Sequence, residues 1–184
     1  MSASHHIVVV RHGKAEKSAS GSGQESAQRD YDRHLTDRGH ADSREAGALL
    51  DTALDLPAGE VVALVSSAPR AQETWQDVAA VLTHGASVIA DVRDDLYETG
   101  VDEIIALLAD TDDDVSSVLV VGHDPAMSQT VQALAGDGDA DALRRLDDGL
   151  STAAFAVLRH DGGWNAVGPG TCRLERLEVG RALD

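Results

Sequence analysis

The sequence predicts an α/β fold of three layers, with helices on both faces of a mostly parallel central sheet. Three observations carry this. Short aliphatic runs, Ile7 to Val10, Val61 to Val65 and Val118 to Val121, read as strands buried on both faces. Stretches with apolar residues at helical spacing alternate with them, the pattern of a layered α/β architecture with right-handed crossovers. Polar residues stand at the carboxyl end of each run, Arg11-His12, Ser66 to Arg70 and His123, where open α/β sheets bind their ligands.

In chain order, Ile7 to Val10 is the central strand, stopped by Arg11-His12-Gly13. From Glu16 to Asp32 the chain is rich in Ser, Gly, Gln and charge with no apolar period, which reads as a mobile surface loop placed to gate whatever follows the first strand. Thr36 is the expected N-cap of a helix in which Ala46, Leu49, Leu50 and Ala53 recur at helical spacing, ending near Leu54. The second strand run, Val61 to Val65, turns through Ser66-Ser67-Ala68-Pro69 into a helix carrying Arg70, Thr74, Val78 and Leu82, with proline at its first turn. Ser87 to Ala90 is a weak third strand, Val101 to Ala109 a short helix, and Val118 to Val121 a strand that ends at Gly122-His123 before a helix opened by Asp124-Pro125. Ala154 to Leu158 and Trp164 to Val167 read as a hairpin around Asp161-Gly162-Gly163, with Leu174 to Val179 as a last strand. With no repeat and no linker in 184 residues, one domain over 1–184 is expected.

Composition narrows the function classes. Hydrophobic residues are 42% of the chain but aromatics only 3%, so Val, Leu, Ala and Ile must build the core. A formal charge of −17 repels nucleic acid and anionic membrane surfaces, and neither is an expected partner. Cys172 is the single cysteine, so no internal disulfide can form. With no signal-like start and no membrane-length apolar run, a soluble cytoplasmic protein is expected.

The residues at the strand ends suit phosphoryl chemistry. A histidine nucleophile needs a neutral ring nitrogen aimed at phosphorus, an acceptor holding the other nitrogen, and cations for the nonbridging oxygens. His12, Arg11, Arg70 and His123 supply that set. Arginine offers a planar fork that grips two oxygens and stays charged, while a protonated His123 would add another donor. Gly13 would let main-chain N–H groups approach the phosphate. A cation near a helix N-terminus, as Arg70 is, opposes the helix dipole and points to an anion between them.

Four segments carry a family resemblance: Ile7 to Gly13 with Ala15, then Asp30-Tyr31-Asp32-Arg33-His34-Leu35-Thr36-Asp37-Arg38-Gly39, then Ser66-Ser67-Ala68-Pro69-Arg70-Ala71-Gln72-Glu73-Thr74, then Val120-Val121-Gly122-His123-Asp124-Pro125. In this order they resemble the histidine phosphatase superfamily, with its phosphoglycerate-mutase-like fold. A length that leaves no room for an inserted helical cap is most similar to the small SixA-type phosphohistidine phosphatase branch. The resemblance implies that His12 is the nucleophile, Arg11 and Arg70 phosphate ligands, His123 the second pocket histidine, and Arg33 a further basic residue near substrate. Larger relatives protonate the leaving oxygen with an acid, for which Asp94, Asp95 and Glu98 are the nearest candidates and Glu98 the first choice. A phosphoramidate leaves as an imidazole, a much better leaving group than an alkoxide, so a missing acid would favour phosphohistidine.

The expected function is therefore metal-independent phosphohydrolysis through a phosphohistidine on His12, with no cofactor. The substrate is a phosphorylated protein carrying phosphohistidine, or a small phosphorylated molecule. A phosphatase or mutase of small phosphate monoesters, or a noncatalytic phosphate- or phosphoprotein-binding module, are the competing readings. Elsewhere blander readings hold. His5-His6 is assigned no metal, Asp137 to Asp141 reads as a solvated acidic loop, Asp110 to Asp114 as a charged turn, Lys14 as a rim residue and Cys172 as an inert thiol.

Overall fold

A computed structural model describes residues 4–17, 24–53, 60–83 and 85–182. Its centre is a seven-stranded sheet in the order β3-β2-β4-β1-β6-β7-β5. The strands are β1 (His5–Arg11), β2 (Glu60–Ser66), β3 (Ile89–Arg93), β4 (Val115–Gly122), β5 (Ala135–Gly138), β6 (Ala154–His160) and β7 (Cys172–Val179). Only β6 runs against the rest, antiparallel to both β1 and β7. The helices are α1 (Gln24–Tyr31), α2 (Asp37–Ala53), α3 (Pro69–Val81), α4 (Val101–Ala109), α5 (Ala126–Leu134) and α6 (Ala140–Leu146).

The aliphatic run of β1 accounts for the three layers. Side chains alternate across a strand, so Ile7 and Val9 join one core while Val8 and Val10 join the other, and all four are at most 1% exposed. The first core is covered by Ile104 and Leu108 of α4 and by Met127, Val131 and Leu134 of α5. The second is covered by Ala46 and Leu50 of α2 and by Trp75 and Val78 of α3. Thr36 caps α2 as expected, its Oγ1 accepting the Gly39 N–H at 3.1 Å and donating to the Lys14 carbonyl at 3.0 Å, which ties α2 to the loop after β1.

Four expectations are corrected. The loop read over 16–32 contains α1, whose eight residues are too polar to show an apolar stripe; the 18–23 part of that loop lies outside the described residues, as does the expected helix end at Leu54. The third strand is Ile89–Arg93 rather than Ser87 to Ala90. It is an exposed edge strand with little burial pattern to mark its start. The acidic stretch read as a loop is edge strand β5 followed by α6, and Asp139 caps that helix by accepting the Asp141 and Ala142 N–H groups, each at 3.0 Å. Trp164 to Val167 is no hairpin strand, because β6 pairs with β7 instead. Trp164–Ala166 is a 3-10 turn that drives the indole into the core, fully buried, where Nε1 donates to the Val115 carbonyl at 2.8 Å.

Candidate active site

Adjacent strands β2, β4 and β1 end together at one edge of the sheet, and their last residues register as Val65 beside Val121 and Arg11 beside Gly122. This places the Ser66–Arg70 turn, His123 and the Arg11-His12 pair side by side, as crevices at the carboxyl ends of parallel strands do. The His12 and His123 rings lie 5.1 Å apart between centroids, tilted by 55°.

The backbone around His12 is fixed from three sides. Its N–H donates to the Gly122 carbonyl at 3.0 Å and its own carbonyl accepts from Ala153 N–H at 3.1 Å. The next residue, Gly13, donates its N–H to Thr74 Oγ1 at 2.9 Å, and Thr74 Oγ1 in turn donates to the Arg70 carbonyl at 2.7 Å. The Gly13 N–H is thus engaged by α3, contrary to the expectation that it would face phosphate. The absence of a side chain there has a packing cause. A Cβ on Gly13 would stand 2.6 Å from Ser43 Oγ and 2.8 Å from the Gly39 carbonyl oxygen, both on α2.

The ring of His12 has its tautomer set. Nδ1 lies 2.7 Å from the Gly13 carbonyl oxygen, an acceptor only, so Nδ1 carries the proton and Nε2 presents a lone pair. Burial, together with the charges of Arg70 and Arg11 and against the pull of the Gly13 carbonyl, pushes its pKa down to about 4. His123 is pushed down to about 3 by burial, by His12 and by Arg70. It is therefore a neutral donor in the free protein, not the cation that the sequence reading allowed. Ser66 Oγ accepts from the Ala68 N–H at 3.4 Å and shares a hydrogen bond of 2.8 Å with His123 Nε2, while His123 Nδ1 is buried and without a partner.

Both arginines are held in the same manner. Arg11 Nη1 donates to the Leu150 carbonyl at 2.5 Å and pairs with Asp124 at 2.9 Å, and its Nε is buried and unpartnered. Arg70 Nη1 donates to the Asp30 carbonyl at 2.6 Å, its Nη2 to Asp30 Oδ2 at 3.2 Å, and its Nε too is buried and unpartnered. Buried donors are rarely left unsatisfied in native proteins. Three such nitrogens, Nε of Arg11 and Arg70 and Nδ1 of His123, belong to residues gathered with His12 at one sheet edge, a set suited to an oxyanion.

Arg33 reaches the rim, its Nη1 on Asp30 Oδ1 at 2.8 Å and its Nε on the Glu16 carbonyl at 2.6 Å. The following turn is tied to α3 by Glu73, which accepts from the Leu35 N–H at 2.7 Å and pairs with His34 at 2.6 Å. Glu98 is not brought to the imidazoles. It lines a separate recess with Asp95, Glu103 and Asp110, while its neighbour Tyr97 faces the pocket, edge-on to His123 with centroids 5.5 Å apart. Consecutive side chains around a tight turn diverge, so Tyr97 and Glu98 cannot both point inward. Sequence reasoning passed over Tyr97, Thr74, Asp30 and Asp124, although Thr74, Asp30 and Asp124 lie inside the four motif segments. Among the described residues no group of three or more His, Cys, Asp or Glu is arranged to hold a metal ion, and no helix is long and apolar enough to cross a membrane.

These pKa directions give a direct expectation. With the folded-state value below the ordinary 6.5, the reactive neutral form of His12 prevails at neutral pH and is lost only as pH falls toward 4. Imidazole NMR of the free protein should show neither the His12 nor the His123 ring titrating between about pH 8 and about pH 5.5. A midpoint near 6.5 for His12 would contradict the geometry.

Taken together, the layered sheet and a pocket that sets a neutral imidazole against buried guanidinium edges define a phosphatase. Residues 7–104 match the histidine phosphatase superfamily, branch 1, more than half of the chain. An uncharacterized protein of Mycobacterium leprae is 35% identical over 155 residues, 83% of this chain and 89% of that one. The structure is similar to that of a candidate phosphohistidine phosphatase SixA from Nakamurella multipartitia, at 32% identity and TM-score 0.71, covering 95% of each chain. Phosphoglycerate mutase from Plasmodium falciparum shares the fold at 17% identity and TM-score 0.60, covering 99% of this chain and 95% of that one. The chain belongs to the histidine phosphatase superfamily.

Proposed function

We propose that the protein is a phosphohistidine phosphatase that works through a phosphoenzyme on His12. The observation that carries this reading is the fixed tautomer of His12, with Nδ1 held by the Gly13 carbonyl and Nε2 left as a neutral lone pair within this set of residues. In the first step Nε2 attacks phosphorus, the P–Nε2 bond forms, and the bond from phosphorus to the leaving group breaks. Arg11, Arg70 and His123 take the nonbridging oxygens as charge shifts onto them. In the second step water attacks phosphorus, the P–Nε2 bond breaks with its electron pair returning to Nε2, and inorganic phosphate departs carrying both protons of the attacking water.

Neither candidate carboxyl is set to donate a proton, which supports a nitrogen leaving group over an alkoxide. Asp30, at the pocket wall, is held below the usual carboxylate range: partial burial works against this, but the Arg33 hydrogen bond and the Arg70 charge outweigh it. Glu98 lies in another recess. A phosphoimidazole whose second nitrogen carries a proton leaves as a neutral ring and needs no proton from the enzyme, whereas an alkoxide does. The similarity to the Nakamurella protein supports the same substrate class.

The test is phosphate release with chelator present from a phosphohistidine peptide, an aryl phosphate and an alkyl phosphate. The expected order of kcat/KM is phosphohistidine and aryl ester well above alkyl ester, by at least about a hundredfold, since general acid catalysis contributes roughly that much or more. An alkyl ester turned over fastest, with phosphohistidine untouched, would replace this reading by the small-monoester phosphatase.

A further inference from the structure

We infer that Asp30 is a positioning residue of this pocket, gripping the outer end of the Arg70 fork so that the inner edge is aimed at the phosphoryl group. The inference rests on the phosphatase reading and names a residue that the reading does not require.

A guanidinium has two edges able to grip an anion, the terminal pair Nη1/Nη2 and the side edge Nε/Nη2. The Arg70 side chain is 5% exposed, and its terminal edge is filled by α1. Nη1 donates to the main-chain carbonyls of Asp30 at 2.6 Å and Tyr31 at 3.4 Å, and Nη2 donates to Asp30 Oδ2 at 3.2 Å. The side edge is left with Nε buried and unpartnered. Arg11 shows a similar arrangement, in which Asp124 and the Leu150 carbonyl take Nη1 and Nε is again buried and unpartnered. Two arginines from different elements, each held at Nη1 by a carbonyl while a carboxylate grips the same fork, leave their side edges free.

Asp30 also sets its neighbours. Its Oδ1 accepts from Arg33 Nη1 at 2.8 Å, and Oδ2 accepts from the Tyr97 hydroxyl at 3.1 Å. Tyr97 lies 5.7 Å from Arg70 Cζ and edge-on to His123. The alternative for a carboxylate among pocket cations is an internal competitor that substrate must displace. The contacts argue for a wall. Two of the three hydrogen bonds that hold Arg70 go to main-chain carbonyls that cannot leave without unwinding the end of α1. That end is pinned by the Tyr31 hydroxyl donating to the Ser67 carbonyl at 3.0 Å and by Tyr31 packing edge-on to Tyr97 at 4.9 Å.

The two readings predict opposite signs. Kinetics on an aryl phosphate and inhibition by orthovanadate are measured for wild type, Asp30→Asn, Asp30→Ala and Asp30→Glu, with thermal unfolding of each. Positioning requires that the Asn and Ala variants lose about ten- to a hundredfold in kcat, the range seen when a group that orients a reacting residue is removed. Vanadate affinity should fall in parallel, and Asp30→Glu, which keeps both acceptor oxygens, should recover part of the loss. Wild-type or higher kcat/KM in Asp30→Asn with tighter vanadate binding would make Asp30 a competing anion and overturn the inference. Should α1 come loose in the variants, Arg Nε NMR of the wild type decides: a shift of the Arg70 Nε resonance on saturation with phosphate supports the aimed edge, and no shift overturns it. A wild type that neither turns over substrate nor binds vanadate would sink the phosphatase reading and this inference with it. An active wild type indifferent to Asp30 sinks this inference alone.

Discussion

Replacing His12 by alanine lowers phosphate release by at least about 10⁴-fold, the scale on which enzymes lose activity when a covalent nucleophile is removed. The cause lies in the site's inventory. His12 has its Nδ1 proton held by the Gly13 carbonyl and its Nε2 left as a lone pair, whereas His123 has its Nε2 engaged by Ser66. The two rings are therefore held differently, and only His12 has both its tautomer and its free nitrogen set by a main-chain carbonyl. The His12 ring hydrogen-bonds the adjacent Gly13 carbonyl and packs on His123 at the pocket, so the variant should lose only modest stability and still unfold cooperatively. Wild-type enzyme quenched in alkaline denaturant should carry base-stable, acid-labile phosphate that the variant lacks. A variant retaining wild-type turnover, or phosphate trapped on another residue, would end the mechanism as written.

The second large effect is at Arg70. Arg70→Gln should reduce kcat/KM by roughly 10²–10³-fold, the cost of removing one preorganised donor from a developing oxyanion. Arg70→Lys should recover less than about tenfold of that loss, because a point charge cannot reproduce a side edge held in one plane. Stability moves as well. The guanidinium is buried and satisfies the end of α1, so either variant leaves the Asp30 and Tyr31 carbonyls short of a donor and the unfolding temperature falls. Activity and stability separate in a double substitution with Asp30→Asn. If Asp30 acts through Arg70, its removal costs little further activity once Arg70 is gone. Fully additive losses would show that the two residues act independently.

The remaining acidic character of the chain bears on how such a pocket works. At a formal charge of −17, long-range attraction of a dianion cannot come from the protein as a whole. Binding must come from short, aligned contacts, which is why the orientation of two buried guanidiniums matters more here than their number.

What the sequence by itself determined is whatever depends on neighbours along the chain. The β-branched run before Arg11 sets the central strand, and Thr36 sets the start of α2. Pro69 sets the start of α3, and the order of four motifs identifies the family. His12, Arg11, Arg70 and His123 were legible because each stands at, or within a few residues of, the carboxyl end of a strand with a strong local signal. Tertiary structure decided what depends on distant partners. Helix α1 has no apolar stripe to announce it, yet it closes the pocket through Asp30 and Tyr31, 40 and 36 residues from the groups they hold. Trp164 looked like part of a strand until the buried carbonyl of Val115, 49 residues away, drew its indole inward. Glu98 and Tyr97 are neighbours in sequence, and only the turn they stand on gives one to the pocket and the other to a separate recess. The protonation of His123 was equally out of reach. Its neutrality follows from burial beside His12 and Arg70, and side-chain desolvation is a property of the packed fold, not of the local sequence.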